Sequence, residues 1–203
     1  AHSNFCTLSH YKILLKYKKE DNIWPTLKQA IKAQSSSHEQ KYCADIKKVR
    51  SLTYDKGSCT MLIYRSLLTE HLSEKEANTI NQLGYCLQLA DDLLDVFDDT
   101  AEEISTTANL VELEKVVAHY REQVRKGQQL FFKTYQSRGK AAKAFRTFQV
   151  LFAISEMAIE RYDNNSIKTF NGITLSNLKR SHFIIDMEKV STVLQSLYYC
   201  VRQ

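Results

Sequence analysis

The sequence predicts an all-α protein with a single helical domain over residues 1–203. Helix-breaking residues are scarce, with five Gly and one Pro in 203 residues. Hydrophobic residues make up 43% of the chain, which is enough to fill a sizeable core. Apolar side chains recur at three- and four-residue spacing through most of the chain, and this is the pattern of amphipathic helices.

Short helices are predicted in the first quarter of the chain. Tyr11 to Lys18 is amphipathic and highly basic. Proline suits the first turn of a helix, so Pro25 is expected to open one over residues 25–33. The polar stretch from Gln34 to His38 is interpreted as a loop, and residues 40–54 as a further helix. Four residues of that helix are expected to face inward: Tyr42, Ile46, Val49 and Tyr54.

A pair of longer helices is predicted next. The segment that contains Lys56 should continue as a helix to a stop near Leu72. Ser73 and Glu76 then have the spacing of a capping box, which would start the helix that carries several aspartates. A polar connection follows from Thr100 to Asn109.

Three further helices are predicted, over residues 110–135, 140–162 and 176–201. Asp163 to Ser166 should end the second of them. The inward-facing positions of the first two are Leu113, Val117, Tyr120, Val124, Phe131, Phe145, Phe148, Phe152 and Ile159.

Residues 83–99 are the most informative stretch, because on a helix, at about 100° per residue, their side chains divide into two faces. The polar face consists of Gly84, Gln88, Asp92, Asp95 and Asp99, with Asp91 at its flank. The apolar face consists of Leu83, Leu87, Ala90, Leu94 and Phe97. Such an acidic face can hold a hard cation such as Mg²⁺, which prefers oxygen ligands and takes further ligands from water and phosphates.

Acidic helix faces are most often simply solvated, but two details favour a ligand here. The acidic stripe continues into Gly84 and Gln88, a small and a neutral polar residue that suit the wall of a cavity. Neighbouring aspartates also repel each other by a few tenths of a kcal/mol. No Lys, Arg or His lies between Leu83 and Glu114 to relieve that repulsion. A divalent cation would relieve it.

Residues 83–96, LGYCLQLADDLLDV, resemble the second aspartate-rich motif of the trans-isoprenyl diphosphate synthases. This is the polyprenyl synthetase family of the class I isoprenoid and terpene synthases. Asp55 to Ile63 is similar to the Lys-Thr-Gly helix segment of the same family, whose lysine meets the diphosphate. The separation of Lys56 from Asp91 is also close to that in the family.

The resemblance implies an isoprenoid synthase-like bundle, in which antiparallel helices surround a central cavity. It implies that Asp91, Asp92 and Asp95 act in catalysis as Mg²⁺ ligands or as supports of those ligands. Lys56 would be a catalytic contact of the substrate diphosphate, and Gln88 a polar wall residue of the substrate site. In that reaction an allylic diphosphate loses pyrophosphate, and isopentenyl diphosphate attacks the resulting carbocation. A homodimer is expected by the same analogy.

Residues 1–55 contain only isolated acids and no counterpart of the family's first aspartate-rich motif. Either the chain is the carboxy-terminal two-thirds of a longer protein, with its amino-terminal part missing, or it has lost half of the metal site. The stretch from Thr100 to Leu113 also lacks the lysine that many members place against the diphosphate. Three functions therefore stay open: a prenyl-elongating transferase, a terpene synthase of the same fold, and a non-catalytic regulatory subunit of a heteromeric prenyl synthase.

Composition disfavours other function classes. A net charge of +5 suits an anionic substrate without requiring nucleic acid, and no nucleic-acid-binding motif accompanies the basic residues. The six His have no metal-binding spacing. No apolar run is long enough to form a transmembrane segment. The five Cys are odd in number and form no C-x-x-C pair, so we interpret them as reduced core residues of a cytoplasmic protein.

Overall fold

The computed structural model describes residues 20–68, 72–135, 138–165, 167–170, 180, 183, 185 and 189–202. These residues form an all-α structure, as predicted. Its helices are α1 (Glu20–Ser36), α2 (Ile46–Ser66), α3 (Glu74–Leu94), α4 (Val96–Ala101), α5 (Thr107–Leu110), α6 (Leu113–Thr134), α7 (Arg138–Asn164) and α8 (Val190–Arg202). A 3₁₀ helix, Ser37–Gln40, follows α1 directly.

Helices α2 and α3 are antiparallel neighbours at the centre of the structure. Thr53 near the start of α2 contacts Asp92 near the end of α3, and Arg65 at the end of α2 contacts Glu76 at the start of α3. The Ser73 hydroxyl accepts a hydrogen bond from the backbone N–H of Glu76 at 3.2 Å. The predicted N-cap at Ser73 is therefore confirmed, but the second bond of the predicted capping box is not formed, because the Glu76 carboxylate accepts hydrogen bonds from Arg65 and Tyr135 instead.

The hydrophobic core lies between α3, α6 and α7. The apolar face predicted for α3 is confirmed, since Leu83 and Ala90 are buried and Leu87, Leu94 and Phe97 pack against the core. The inward positions predicted for α6 and α7 are all buried or half-buried. Aromatic rings fill much of this space; the rings of Phe131 and Phe145, for example, lie 5.1 Å apart.

Several predicted boundaries near the amino terminus are wrong. Helix α1 is already helical at Glu20 and contains Pro25, and helical structure continues through the predicted loop 34–38. The helix predicted from residue 40 begins instead at Ile46, because the Asp45 side chain caps it by accepting a hydrogen bond from the N–H of Lys47 at 2.9 Å.

Two of the residues predicted to face inward from that helix are exposed. Tyr42 precedes the helix, with a left-handed φ of 60°, and is 68% exposed. Tyr54 is also exposed, although its ring edge meets Tyr85 at 5.5 Å between centroids. Val49 is fully buried and Ile46 half-buried, as predicted.

Later boundaries also differ. Helix α2 ends at Ser66 rather than near Leu72, and the helix expected over residues 83–99 is interrupted at Asp95. The predicted polar connection 100–109 contains the end of α4 and most of α5. The last described helix begins at Val190, whereas 183, 185 and 189 are not helical, so the predicted start at 176 is too early. Tyr11 to Lys18 lies outside the described residues.

Among the helices that the structure describes, none is both long and apolar enough to cross a lipid bilayer. The cysteines at 43, 59, 86 and 200 are free thiols. Only Cys86 is a fully buried core residue, and the other three are half-buried. The predicted free thiols are thus confirmed at these four positions, but the predicted core location holds for one of them.

Candidate functional site

The backbones of α2 and α3 touch at two glycines. A Cβ atom built on Gly57 would lie 2.3 Å from the carbonyl oxygen of Gly84, and one built on Gly84 would lie 2.4 Å from that of Gly57. Both distances are far below van der Waals contact with rigid backbone atoms, so only glycine fits at either position. Gly84 was predicted to line a cavity; it instead permits this close helix contact.

The contact places the predicted site residues of the two helices side by side. Lys56 precedes Gly57 on α2, and Gln88 lies one turn beyond Gly84 on α3. A cavity of about 710 Å³ opens beside them. All the residues predicted for the site line this cavity: Lys56, Gln88, Asp91, Asp92 and Asp95.

Asp92 is the most buried carboxylate of the cavity, with 5% of its surface exposed. The Thr53 hydroxyl donates to its Oδ2 at 3.4 Å, and the Gln88 amide donates to its Oδ1 at 3.3 Å. These long bonds compensate little of the cost of burying the charge. Burial, with a smaller contribution from the charge of Asp91, raises the pKa of Asp92 to about 7 against the opposing effects of Gln88, Lys56 and Thr53.

The Gln88 amide donates hydrogen bonds to two neighbouring aspartates. Its amide nitrogen also donates to Oδ2 of Asp91 at 2.8 Å. Asp91 is exposed on the cavity side of α3. One neutral side chain therefore orients both carboxylates and leaves their negative charge in place.

A further carboxylate, Asp99, joins the cavity from α4. The chain turns at Asp95, where φ is −96° and ψ is 7°, and α4 then carries Asp99 back toward α3. Burial raises the pKa of Asp99 to about 7, with additional repulsion from Asp92 and Asp95. The pKa of Asp95 is raised by burial and then by Asp91 and Asp98. The sequence placed Asp99 on the acidic stripe but gave it no role.

Lys56 is the cation that opposes this group of carboxylates most directly, since it lowers the pKa of Asp92, Asp95 and Asp99. Asp98 is engaged elsewhere: its two oxygens accept hydrogen bonds from Arg180 at 3.1 and 2.7 Å, and this contact lowers the pKa of Asp98. The cavity therefore carries an excess of negative charge, which attracts cations.

The opposite wall of the cavity was not predicted. It is formed by the end of α1 and the 3₁₀ helix, with Gln34, Ser37, His38, Gln40 and Lys41, and by residues 101–104 and 106. Long-range backbone bonds hold these segments together, from Ser105 N–H to the Gln40 carbonyl at 3.0 Å and from Tyr42 N–H to the Glu103 carbonyl at 3.1 Å. No local pattern in the sequence indicates such pairings.

The donor set fits Mg²⁺ in its chemistry, because all the candidate ligands are carboxylate oxygens. In the part of the chain that the structure describes, no three His, Cys, Asp or Glu side chains are already arranged around a common metal position. Mg²⁺ commonly binds one or two carboxylates and completes its octahedron with water and substrate phosphates.

Comparison of the chain with models of protein families, with curated proteins and with solved structures gives no significant match. The resemblance to the trans-isoprenyl diphosphate synthases therefore stays a prediction based on the two motifs.

Proposed function

We propose that this cavity binds the diphosphate of an isoprenoid substrate together with Mg²⁺, and that the protein is a prenyltransferase. The reaction condenses isopentenyl diphosphate with an allylic diphosphate. The observation that supports the proposal is the meeting of Lys56 with Asp91, Asp92 and Asp95 in one cavity, across a helix contact that only glycines allow.

Each residue has a distinct part in this proposal. Lys56 pairs with the diphosphate and stabilises the negative charge that grows as the allylic C–O bond breaks. Asp91 and Asp95, which are exposed to the cavity, are the candidate ligands of Mg²⁺, and Asp92 supports them from a buried position. Gln88 orients Asp91 and Asp92. Bound Mg²⁺ supplies the remaining neutralisation of the departing pyrophosphate.

Product analysis tests the reaction. The protein should convert isopentenyl diphosphate and an allylic diphosphate into a longer prenyl diphosphate, in a Mg²⁺-dependent manner. Lys56→Ala and Asp91→Ala should each lower turnover by roughly tenfold to a hundredfold or more, because each removes charge stabilisation at the leaving group. Unchanged rates would refute these roles. A cyclised or hydrolysed product from the allylic diphosphate alone would identify a terpene synthase instead.

One observation favours a second candidate, a non-catalytic subunit that binds diphosphate. The wall opposite α3 has only two acids, the adjacent Glu102 and Glu103, beside neutral and basic side chains such as Gln40 and Lys41, where a catalytic site would need a second aspartate-rich motif. Such a subunit would bind Mg²⁺–pyrophosphate and give no product alone. Turnover by the isolated protein excludes this candidate.

The family resemblance also leads us to propose a homodimer located in the cytoplasm. Light scattering on the purified protein should give twice the mass of the 23.5 kDa chain. A monomer at micromolar concentration would contradict the dimer.

A further inference from the structure

An apolar groove of about 800 Å³ runs along the other half of the α2–α3 pair, away from the carboxylates. Its walls are the carboxy-terminal half of α2 and the amino-terminal half of α7. Ile80 and Leu83 of α3 lie between these walls. Tyr64 is 62% exposed and Leu68 is 59% exposed, which is unusual for large apolar side chains that line a concave surface.

Both walls present their side chains with helical spacing. Met61 and Tyr64 occupy positions i and i+3 of α2, and Leu68 follows just beyond the end of that helix. Ala141, Ala144 and Phe148 occupy positions i, i+3 and i+7 of α7. Each wall is therefore a stripe of the kind that one helix presents to a neighbouring helix. The two alanines also leave room for close approach of another backbone.

The surroundings of the groove are basic. Residues 123–155, which include most of α7, contain no Asp or Glu. Lys140 lines the groove and forms no ion pair with any residue that the structure describes. Residues 56–68 of the facing wall also contain no acid, and Arg65 is paired with Glu76.

We propose that this groove binds an amphipathic α-helix of a partner protein, apolar on one face and acidic along its flanks. An apolar groove between two helices is the kind of surface in which an amphipathic helix lays its apolar face. Lys140, whose charge has no partner among the described residues, complements an acidic flank of that helix. A lipid surface would instead favour apolar side chains that protrude from a convex face. The proposal does not depend on the diphosphate site.

The test uses synthetic helical peptides of about 18 residues, or five turns, with leucine on one face and either glutamate or lysine along the flanks. A scrambled glutamate peptide has the same charge without the apolar face. Fluorescence anisotropy with the full chain should show saturable binding of the glutamate peptide, roughly tenfold tighter than that of the lysine peptide. The scrambled peptide should not bind saturably.

Substitutions at two residues that line the groove test whether the peptide binds there. Lys140→Glu should bring the two peptide affinities together or invert their order, whereas Lys168→Glu, an exposed charge reversal outside the groove, should leave the order unchanged. Ala144→Trp should fill the groove and weaken both peptides. Circular dichroism checks its folding, and if Ala144→Trp does not fold, the charge reversal at Lys140 decides the result alone.

Three outcomes would overturn the proposal. The first is no saturable binding of the glutamate peptide up to about 1 mM. The second is binding that Lys140→Glu leaves unchanged. The third is binding of phosphatidylserine vesicles that Ala144→Trp abolishes and the glutamate peptide does not displace, which would assign the groove to a lipid surface.

Discussion

The two ends of the α2–α3 pair both bury charged side chains, but the charges are compensated within the chain at one end only. At one end Arg65 and Glu76 form two hydrogen bonds, of 2.8 and 3.2 Å, and the Tyr135 hydroxyl donates a third to Glu76 at 3.0 Å. At the other end Asp92 receives two long bonds from neutral groups. The first cluster is neutralised within the chain, and the second is left in need of a cation.

The pKa values express the same difference. Hydrogen bonding from Arg65 lowers the pKa of Glu76, so the folded state favours its charged form. Burial raises the pKa of Asp92 and of Asp99 to about 7, so the folded state favours their protonated forms or a bound cation. Carboxyl groups whose pKa is raised in this way inside a cavity are candidates for a binding site.

The largest expected effect comes from the glycine contact that holds the two ends together. Gly84→Ala should lower the free energy of unfolding by about 3 kcal/mol, because its Cβ would overlap the backbone of α2. Pyrophosphate binding should be lost with it. Chemical denaturation measures the change. Gly139→Ala is the matched control, since among the described residues no atom beyond its chain neighbours and its own helix backbone lies within 4 Å of the added Cβ; equal stability of the two variants would contradict the contact.

Substitution in the Arg65–Glu76 cluster should have the next largest effect on the free energy of unfolding. Glu76→Gln should lower the free energy of unfolding by about 2 kcal/mol, because it leaves the Arg65 guanidinium, whose side chain is 9% exposed, without its counter-charge. Because the pKa of Glu76 is lowered by folding, this contribution is present above pH 4.5, its ordinary value, and is lost as the pH falls.

Glu112→Gln is the control for that prediction. It removes the acid of an exposed ion pair with Lys115, at 2.9 Å, and such pairs contribute little to stability. We expect no measurable change in the denaturation midpoint. If Glu76→Gln also leaves the denaturation midpoint unchanged, the Arg65 cluster does not have the structural role assigned to it.

The stability contributed by the Asp92 end of the helix pair should depend on pH in the opposite direction to that contributed by Glu76. Folding raises the pKa of Asp92 from 3.8 to about 7, so the folded state binds a proton that the unfolded state releases. Without divalent metal, stability should therefore fall as the pH rises from about 4 to about 7. Asp92→Asn should be more stable than the wild type at pH 8, by about 2 kcal/mol, with a shallower pH dependence.

Denaturation at several pH values with a metal chelator checks this prediction. Asp91→Asn removes an exposed carboxylate of the same cavity; it should keep the direction of the pH dependence but reduce its size less than Asp92→Asn does, because Asp91 adds only a smaller part to the raised pKa of Asp92. A wild-type protein that becomes steadily more stable from pH 4 to pH 8 would show that Asp92 is not buried as the structure places it.

The smallest effect is expected at Thr53. Thr53→Val keeps the shape of the side chain and removes the hydroxyl that donates to Asp92 at 3.4 Å. Because this bond is long, we expect a loss of under about 1 kcal/mol at pH 8. Thr53→Ser keeps the donor but removes a fully buried methyl group, so its loss should be the same at pH 8 and at pH 5. The loss in Thr53→Val should be larger at pH 8, where Asp92 is charged, than at pH 5; a loss that does not change with pH would indicate a packing effect instead.

Local sequence patterns predict the apolar faces of the main helices and one of the two walls of the cavity. The apolar faces of α3, α6 and α7 follow from helical spacing alone, and the positions of Lys56 and Asp91 follow from their motifs. The segment from Gln34 to Lys41 was missed because backbone bonds to residues 103 and 105 place it at the cavity. Nor does a sequence pattern distinguish a glycine that lines a cavity from one, such as Gly84, that meets another backbone.

Calorimetric titration of pyrophosphate, with and without Mg²⁺, tests most directly the claim that the carboxylate end is a ligand site. We expect one pyrophosphate site per chain and binding only in the presence of Mg²⁺. Lys56→Ala and Asp95→Ala should each lower the affinity for pyrophosphate by at least roughly tenfold. Glu76→Gln, at the other end of the same helices, should bind like the wild type. Binding that needs no Mg²⁺, or that survives in Lys56→Ala and Asp95→Ala, would contradict the claim.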